Sequence, residues 1–179
     1  KDAPDLIRKS LANLPVHFES NNSIFDAGNI YCDDHNLEDA REEQIHQVDT
    51  ILRQNHFPIV IGGGHETALG DFLAFAKNYK KIGIINLDAH FDLRQPTPIS
   101  TSGTPFYEMS EYCKQHDILF NYMPIGIQEL GNTTALFARA ENLNVNFILA
   151  DEIHFNLNLT LDKIREYIAQ FDAIYVSLD

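Results

Sequence analysis

Short runs of apolar residues alternate along the chain with longer segments whose apolar residues recur every three or four positions. The uninterrupted runs predict buried strands, and the periodic segments predict amphipathic helices. The predicted strands are 57–61, 82–87, 122–127, 145–150 and 173–178. The predicted helices are 37–55, 67–78, 105–115, 133–142 and 161–171. Residues 1–35 show the least regular pattern, with Asp33 and Asp34 as candidate caps of the helix that follows.

Strands that alternate with helices of this length are typical of βαβ units in a parallel sheet that is covered on both faces. The 179 residues suit a single domain, 1–179, and no internal repeat or linker-like change of composition divides it. The predicted fold class is therefore α/β with a mainly parallel sheet. Ligands bind such sheets at the carboxyl ends of the strands, which directs attention to the residues after each apolar run.

Charge and composition narrow the range of partners. The chain has 13 basic and 26 acidic residues, a net charge of −13, which disfavours nucleic acid and an anionic membrane surface. No run approaches the ~18 apolar residues of a membrane helix, and Lys1–Asp5 lacks the pattern of a signal peptide. Cys32 and Cys113 are too few for a disulfide scaffold, so we expect free thiols and a cytoplasmic location.

A glycine-rich turn follows the first predicted strand. Gly62, Gly63 and Gly64 permit a close backbone approach to a ligand, and His65 and Glu66 come next. A phosphate-binding loop is the usual alternative, but no Lys follows and neither common phosphate motif is matched. His65 is therefore either a ligand or a structural histidine after a turn, and Glu66 is a candidate to orient it.

The second predicted strand is followed by Asp88, His90 and Asp92. In extended backbone, residues at this spacing point to one side of the chain. Two carboxylates and an imidazole, without sulfur, form an incomplete shell for Mn, Mg, Fe or Zn. The alternative is a solvated acidic turn, which is less favoured because neighbouring carboxylates repel each other.

Asp179 follows the last predicted strand, and an Asp in such a place says little by itself. Taken together, however, three strand ends carry five residues of ligand type. They are His65, Asp88, His90, Asp92 and Asp179. Such a set suits two metal ions about 3.5–4 Å apart that make hydroxide available near neutral pH.

Three motifs resemble the arginase/agmatinase/formimidoylglutamase (ureohydrolase) family. They are GGGHE at 62–66, NLDAHFDLR at 86–94 and VSLD at 176–179. The resemblance covers residues 40–179. It implies a three-layer αβα fold, two Mn²⁺ ions and a homo-oligomer, either a trimer or a hexamer.

The same resemblance assigns roles to the five residues. Asp88 and Asp179 would bridge the two metal ions, His65 and Asp92 would complete one shell, and His90 would complete the other. The family has a further Asp two residues beyond the position of Asp179, and the chain ends before it. The chain therefore resembles a ureohydrolase without its C-terminal part, and we expect this fragment alone to be inactive.

The loop after the second motif resembles the formimidoylglutamase branch. Arginases have Asn at the position of Arg94 and His at the position of Phe106. A guanidinium such as that of Arg94 can hold one carboxylate of N-formimidoyl-L-glutamate in bidentate fashion. Ser102, Gly103 and Thr104 would supply hydroxyl and amide donors to the same substrate, unless they are ordinary polar loop residues.

The implied reaction is hydrolysis, in which a metal-bridging hydroxide attacks the formimidoyl carbon and L-glutamate and formamide are released. No residue is identified as the general acid, and Gln128 and Asn132 are candidates for lining the pocket. Two other hypotheses stay open. One is an agmatinase-like guanidino hydrolase, which needs an anionic or neutral tail site in place of Arg94. The other is a non-catalytic metal-binding protein.

Overall fold

Parallel strands form the sheet at the centre of the fold. The computed structural model describes residues 3–15, 17, 23–32 and 36–179. Within these ranges the strands are β1 (Ile82–Leu87), β2 (Tyr122–Ile127), β3 (Ile148–Leu149) and β4 (Ala173–Leu178). They lie in the order β3-β2-β1-β4, and each neighbouring pair is parallel. The predicted α/β class with a parallel sheet is therefore confirmed.

Helices occupy most of the remaining described residues. They are α1 (Ala3–Leu11), α2 (Leu37–Arg53), α3 (Thr67–Asn78), α4 (Pro105–Gln115), α5 (Thr134–Asn142), α6 (Ala150–Phe155) and α7 (Leu157–Ile168). Helices α3 and α4 have the predicted bounds, and Pro105 occupies the first turn of α4, where a missing N–H is tolerated. Within the described ranges, no helix combines the length and the hydropathy that a bilayer crossing requires.

Alternate side chains of β1 point to opposite faces of the sheet and meet different helices. Ile84 belongs to a buried cluster that includes Phe72 of α3 and residues of α4 and α5. Ile85, its neighbour in the chain, belongs to a second cluster with Tyr167 of α7. Helices therefore cover both faces, which is the three-layer αβα arrangement that the family resemblance implies.

Helix α2 packs on α3, close to the turn that carries His65. Gly70 lies against the end of the Gln44 side chain, where an added Cβ would lie 2.4 Å from Oε1. The Gln44 Nε2 group donates to the Thr67 carbonyl oxygen at 2.9 Å and to Asp71 Oδ1 at 2.7 Å. Burial raises the pKa of Asp71 to about 7, although the hydrogen bond from Gln44 opposes this shift. These hydrogen bonds from α2 therefore hold the first residues of α3 in place.

The prediction of a strand at 57–61 is wrong. The segment forms no strand, and Phe57 and Ile59 are 87% and 74% exposed. An apolar run becomes a strand only when a neighbouring strand pairs with its backbone, and no strand in the described part of the chain does so. Pro58 also lacks the N–H that a ladder would use.

Strand β3 is shorter than the predicted 145–150. Helix α6 begins at Ala150, and the Glu152 carboxylate accepts a hydrogen bond from the Leu149 N–H at 3.2 Å. This contact begins a helix where the apolar run alone suggested a longer strand.

The starts of the helices also differ from the prediction. Helix α7 begins before residue 161 because the Asn156 side chain caps it, accepting from the Leu159 N–H at 3.1 Å. Helix α1 was not predicted. Asp33 and Asp34, the predicted caps of α2, lie outside the described residues, and the Asn36 side chain accepts from the Asp39 N–H at the start of that helix.

Candidate metal centre

The carboxyl ends of β1 and β4 place Asp88 and Asp179 side by side. The two strands are parallel neighbours, with Leu87 opposite Leu178 in the register. The Asp179 N–H continues the ladder by donating to the Leu87 carbonyl oxygen at 3.1 Å. The residue after each strand therefore lies at the same edge of the sheet, as the strand-end rule predicts.

The turn before α3 brings His65 to this edge. Its Nδ1 atom lies 2.7 Å from Asp92 Oδ2, 3.4 Å from Asp88 Oδ2 and 3.6 Å from Asp179 Oδ2. One potential ligand atom from each of these four residues lies within 4.8 Å of all the others. The structure thus brings four of the five predicted ligands into one cluster, which could hold a metal ion.

His90, the fifth predicted ligand, lies beside this cluster and not within it. Its Nδ1 atom is 3.4 Å from Asp88 Oδ1, and its side chain is 53% exposed. The reason is the backbone, which bends directly after β1 and does not continue as a strand. Asp88 Oδ1 accepts a hydrogen bond from the His90 N–H at 2.9 Å, which stabilises the bend. The extended geometry assumed for this motif is therefore wrong, although Asp88 and Asp92 do converge.

Asp92 closes the bend with a left-handed backbone, at φ 47°. Few residues other than glycine adopt this conformation, and Asp is one of those that tolerate it best. In this conformation the Asp92 carboxylate lies against His65, 2.7 Å from Nδ1. The ligand position is therefore created by the turn and not by strand alternation.

Charge is concentrated in a buried place. His65, Asp88 and Asp92 are all at least nine-tenths buried, whereas the Asp179 side chain is 58% exposed. Burying ionised groups is costly unless opposite charge compensates them. Three carboxylates that face one imidazole nitrogen therefore make a site in which a cation is stabilised.

The pKa values follow from this crowding. Burial lowers the pKa of His65, but the Asp88 and Asp92 carboxylates beside Nδ1 and the nearby charge of Asp179 raise it to about 9. Burial also raises the pKa of Asp92. For Asp88, burial is outweighed by hydrogen bonds from His65, the His90 backbone and Asn86, so its pKa is lowered. Without a metal ion, the proton on His65 is the cation that these carboxylates share.

Ser177 contacts the other side of the His65 ring, a role that the sequence analysis did not assign. Its Oγ atom lies 2.7 Å from His65 Nε2, and both residues are buried. The edge of the ring meets Phe106, with centroids 5.3 Å apart, and Phe106 stacks in turn on Tyr122. The sequence offers no signal for this contact, because Ser177 and His65 are 112 residues apart.

Glu66 follows His65 in the chain, and the loop residues predicted to bind substrate contact one another in the loop after β1. The Glu66 carboxylate lies against Gly64, and the hydrogen bonds of the His65 ring go to Asp92 and Ser177. Gly103 passes under the exposed Arg94 side chain, where an added Cβ would lie 3.2 Å from the Arg94 Cδ atom.

The neighbours of Gly103 differ in exposure. Ser102 is exposed, whereas Thr104 is buried and its hydroxyl contacts Thr101 and Glu108 within the loop. The Thr104 hydroxyl is thus already engaged, whereas Ser102 and Arg94 are exposed.

A comparison with protein families decides what kind of protein carries this cluster. The model of the arginase family matches residues 1–179. The chain belongs to the arginase family. The family resemblance predicted from the three motifs is therefore confirmed.

Curated relatives of this arginase-family chain include formimidoylglutamases. One from Aeromonas salmonicida is 39% identical over 181 residues, covering 99% of this chain and 57% of the relative. One from Clostridium tetani is 37% identical over 183 residues, covering 98% of this chain and 54% of the relative. The chain thus spans about half the length of the curated relatives it matches.

Solved structures support the fold. A formimidoylglutamase from Bacillus subtilis matches 99% of this chain and 58% of its own, with a TM-score of 0.85 and 24% identity. An arginase from Bacillus cereus matches 79% of this chain and 53% of its own, with a TM-score of 0.68 and 24% identity. A Trypanosoma cruzi formiminoglutamase solved with Mn²⁺ has a TM-score of 0.82 at 22% identity. The match covers 94% of this chain and 58% of that protein.

Proposed function

We propose that this arginase-family protein is a metal-dependent hydrolase that cleaves N-formimidoyl-L-glutamate to L-glutamate and formamide. The observation that carries the proposal is the convergence of His65, Asp88, Asp92 and Asp179 at one edge of the sheet. The reaction class is taken from the relatives, which are named formimidoylglutamase.

Two Mn²⁺ ions are the proposed cofactors. Asp88 and Asp179 would be shared between them, His65 and Asp92 would complete one shell, and His90 would contribute to the other. Mn²⁺ binds carboxylate oxygen and imidazole nitrogen, and the site offers these ligands without sulfur. Buried carboxylates that face one imidazole nitrogen are also stabilised by a cation. When bound, such ions supply Lewis acidity and lower the pKa of water toward neutrality.

The protein's own groups would hold the ligands in place. Ser177 Oγ lies 2.7 Å from Nε2 of His65 and so would orient the ring, leaving Nδ1, the nitrogen that faces the carboxylates, to bind a metal ion. Phe106 packs against the same ring and excludes water from that side. Contacts of this kind to a ligand's far side commonly govern metal affinity.

Arg94 is the proposed recognition residue for a substrate carboxylate. It is exposed, and among the residues that the structure describes no carboxylate forms an ion pair with it. Its backbone N–H donates to the Gly103 carbonyl oxygen at 2.9 Å, which ties the two ends of the loop together. A guanidinium suits the planar carboxylates of N-formimidoyl-L-glutamate, whereas it would repel the cationic tail of agmatine.

The experiment is a turnover assay of the full-length protein with Mn(II), using N-formimidoyl-L-glutamate, agmatine and arginine separately. We expect formamide and glutamate from the first substrate. Arg94→Gln should raise KM for it by about 10- to 100-fold, because a hydrogen bond to a charged group contributes roughly 1.5–3 kcal/mol. Arg53→Gln is the control, since the exposed Arg53 side chain pairs with Asp49 of α2 and lies outside the predicted site.

Two results would contradict the proposal. Urea released from agmatine or arginine would preserve the metal site but replace the substrate. Bound metal without turnover of any of the three compounds would favour a non-catalytic metal-binding protein.

A further inference from the structure

The segment between β2 and α5 holds the backbone of the metal loop, which we define as residues 88–93. Asn132, at the end of this segment, uses its side-chain amide on the backbone. Its Oδ1 atom accepts from the Phe91 N–H at 3.0 Å. Its Nδ2 group donates to the carbonyl oxygens of Ala89, at 2.9 Å, and Gln128, at 2.8 Å. The polar atoms of the Asn132 side chain are thus all bonded to backbone groups. These contacts account for the residue without a place in the pocket lining.

Two further contacts extend this hold. The Gln128 N–H also donates to the Ala89 carbonyl oxygen, at 3.0 Å. Arg139 of α5 donates through Nη1 to the Leu93 carbonyl oxygen. The Arg139 guanidinium also lies over the Tyr107 ring, 5.1 Å from its centroid, which limits the positions it can adopt.

The held residues alternate with the predicted ligands. The backbone is hydrogen-bonded at Ala89, Phe91 and Leu93, while Asp88 and Asp92 carry the clustered carboxylates. Each carboxylate therefore extends from a stretch of chain that is fixed on at least one side. Asp92 in particular has a left-handed backbone, which is costly to keep and needs support from its neighbours.

We propose that Asn132 is a positioning residue that sets the geometry of the metal loop, with Arg139 as its second anchor. The inference rests on the proposed metal site. Asn132 contacts no predicted ligand side chain and acts through the backbone of Ala89 and Phe91. Its loss should release the loop while all the predicted ligands remain present.

The test compares Asn132→Ala with Asn121→Ala in the full-length protein. Asn121 is the matched control because its Nδ2 group also donates to two carbonyl oxygens, those of Ile82 and Leu119, at the opposite end of the sheet. Titration calorimetry with Mn(II) should show affinity weakened about 10- to 100-fold in Asn132→Ala, as for other outer-shell contacts. Affinity in Asn121→Ala should stay within about twofold of the unsubstituted protein, although both variants lose thermal stability.

A second readout needs no metal. Amide hydrogen exchange of metal-free protein should show the Phe91 N–H exchanging at least about tenfold faster in Asn132→Ala and unchanged in Asn121→Ala. Asn132→Asp keeps the acceptor for this N–H but loses the two hydrogen bonds that Nδ2 donates, so the Phe91 N–H should lose part of its protection, and this variant serves if the alanine variant does not fold. Absence of any Mn(II) binding by the unsubstituted protein would refute the proposed function, and the exchange of Phe91 would then decide the role of Asn132. Equal behaviour of Asn132→Ala and Asn121→Ala in exchange and affinity would overturn the inference, as would equal Phe91 exchange in Asn132→Asp and Asn121→Ala if the alanine variant does not fold.

Discussion

The two ends of the sheet are built on opposite electrostatic principles. At the carboxyl end, His65 and two carboxylates are buried together, and their hydrogen bonds depend on charge. Toward the amino end, the polar contacts of the buried Tyr167 side chain are neutral. The Tyr167 hydroxyl donates to the Asn121 carbonyl oxygen at 2.8 Å and accepts from the Ile84 N–H at 3.2 Å.

The two ends of the sheet therefore contribute differently, one to the stability of the fold and the other to the binding of an ion. Neutral groups that satisfy each other stabilise the fold without any further partner, because each hydrogen bond is complete within the chain. The carboxyl end has three carboxylates around one imidazole, and this excess of negative charge is balanced only when a cation is present. The amino end therefore holds the sheet together, while the carboxyl end is arranged for an ion.

The largest expected effect comes from removing one charge at the carboxyl end. Asp88→Asn keeps the shape of the side chain but removes a carboxylate that is in reach of both His65 and His90. We expect Mn(II) affinity to fall by about 100-fold or more, because outer contacts alone are worth 10- to 100-fold. Calorimetry on the purified variant measures this directly.

Its control lies at the other end of the sheet. Asp172→Asn makes the same chemical change at an exposed residue just before β4, where the backbone N–H donates to the Lys81 carbonyl oxygen. Its Mn(II) affinity should match that of the unsubstituted protein. Equal losses in both variants would mean that net charge, and not the cluster, governs metal binding.

An intermediate effect is expected from pH. In metal-free protein the folded state holds the His65 proton up to about pH 9, whereas the unfolded chain releases it near 6.5. The resulting stabilisation is complete below pH 6.5 and is lost as pH rises through 9. The free energy of unfolding should therefore fall by about 3 kcal/mol over this window, measured by urea denaturation with a chelator.

Two variants test whether the pH dependence of the free energy of unfolding comes from the carboxyl end of the sheet. His65→Gln should remove most of the change between pH 7 and 9, a range that lies above the pKa of Asp71. Tyr167→Phe should keep it, because burial raises the pKa of Tyr167 well beyond this range. A flat profile in the unsubstituted protein would show that the carboxylates do not hold the proton.

The smallest effect is expected toward the amino end. Tyr167→Phe removes one hydroxyl that links the Asn121 carbonyl oxygen to the Ile84 N–H. A lost neutral hydrogen bond costs about 1 kcal/mol, and Mn(II) affinity should not change. Urea denaturation and calorimetry on the same preparation test both statements. A marked loss of affinity would show that the two ends are coupled through the sheet.

The sequence predicts the parts of this molecule that depend on local pattern. The apolar runs locate β1, β2 and β4, and ligand-type residues at their ends indicate the metal site. Pattern fails where a distant partner decides the outcome. The run at 57–61 is as apolar as the true strands, but whether it pairs depends on a neighbour that spacing does not reveal.

The same limit applies to the supporting contacts. Asn132 and Phe91 are 41 residues apart, and Ser177 and His65 are 112 apart. Neither pair has a spacing that a helix or a strand would repeat, so only the folded chain shows that they meet. His90 is a different case, since its motif was recognised but the bend after β1 places it beside the cluster, 3.4 Å from Asp88 Oδ1.

The left-handed turn at Asp92 has a consequence for which substitutions the protein can accept. In the described ranges, the other non-glycine residues with positive φ are Asn55, Asp117 and Asn144, and each lies just beyond the end of a helix. Glycine suits all such positions equally well from the point of view of the backbone. A library of variants selected for folding should therefore exchange those three residues freely with glycine. Selection for metal binding should retain Asp92, because Gly and Asn supply the turn without the carboxylate, and Glu supplies the carboxylate without the turn.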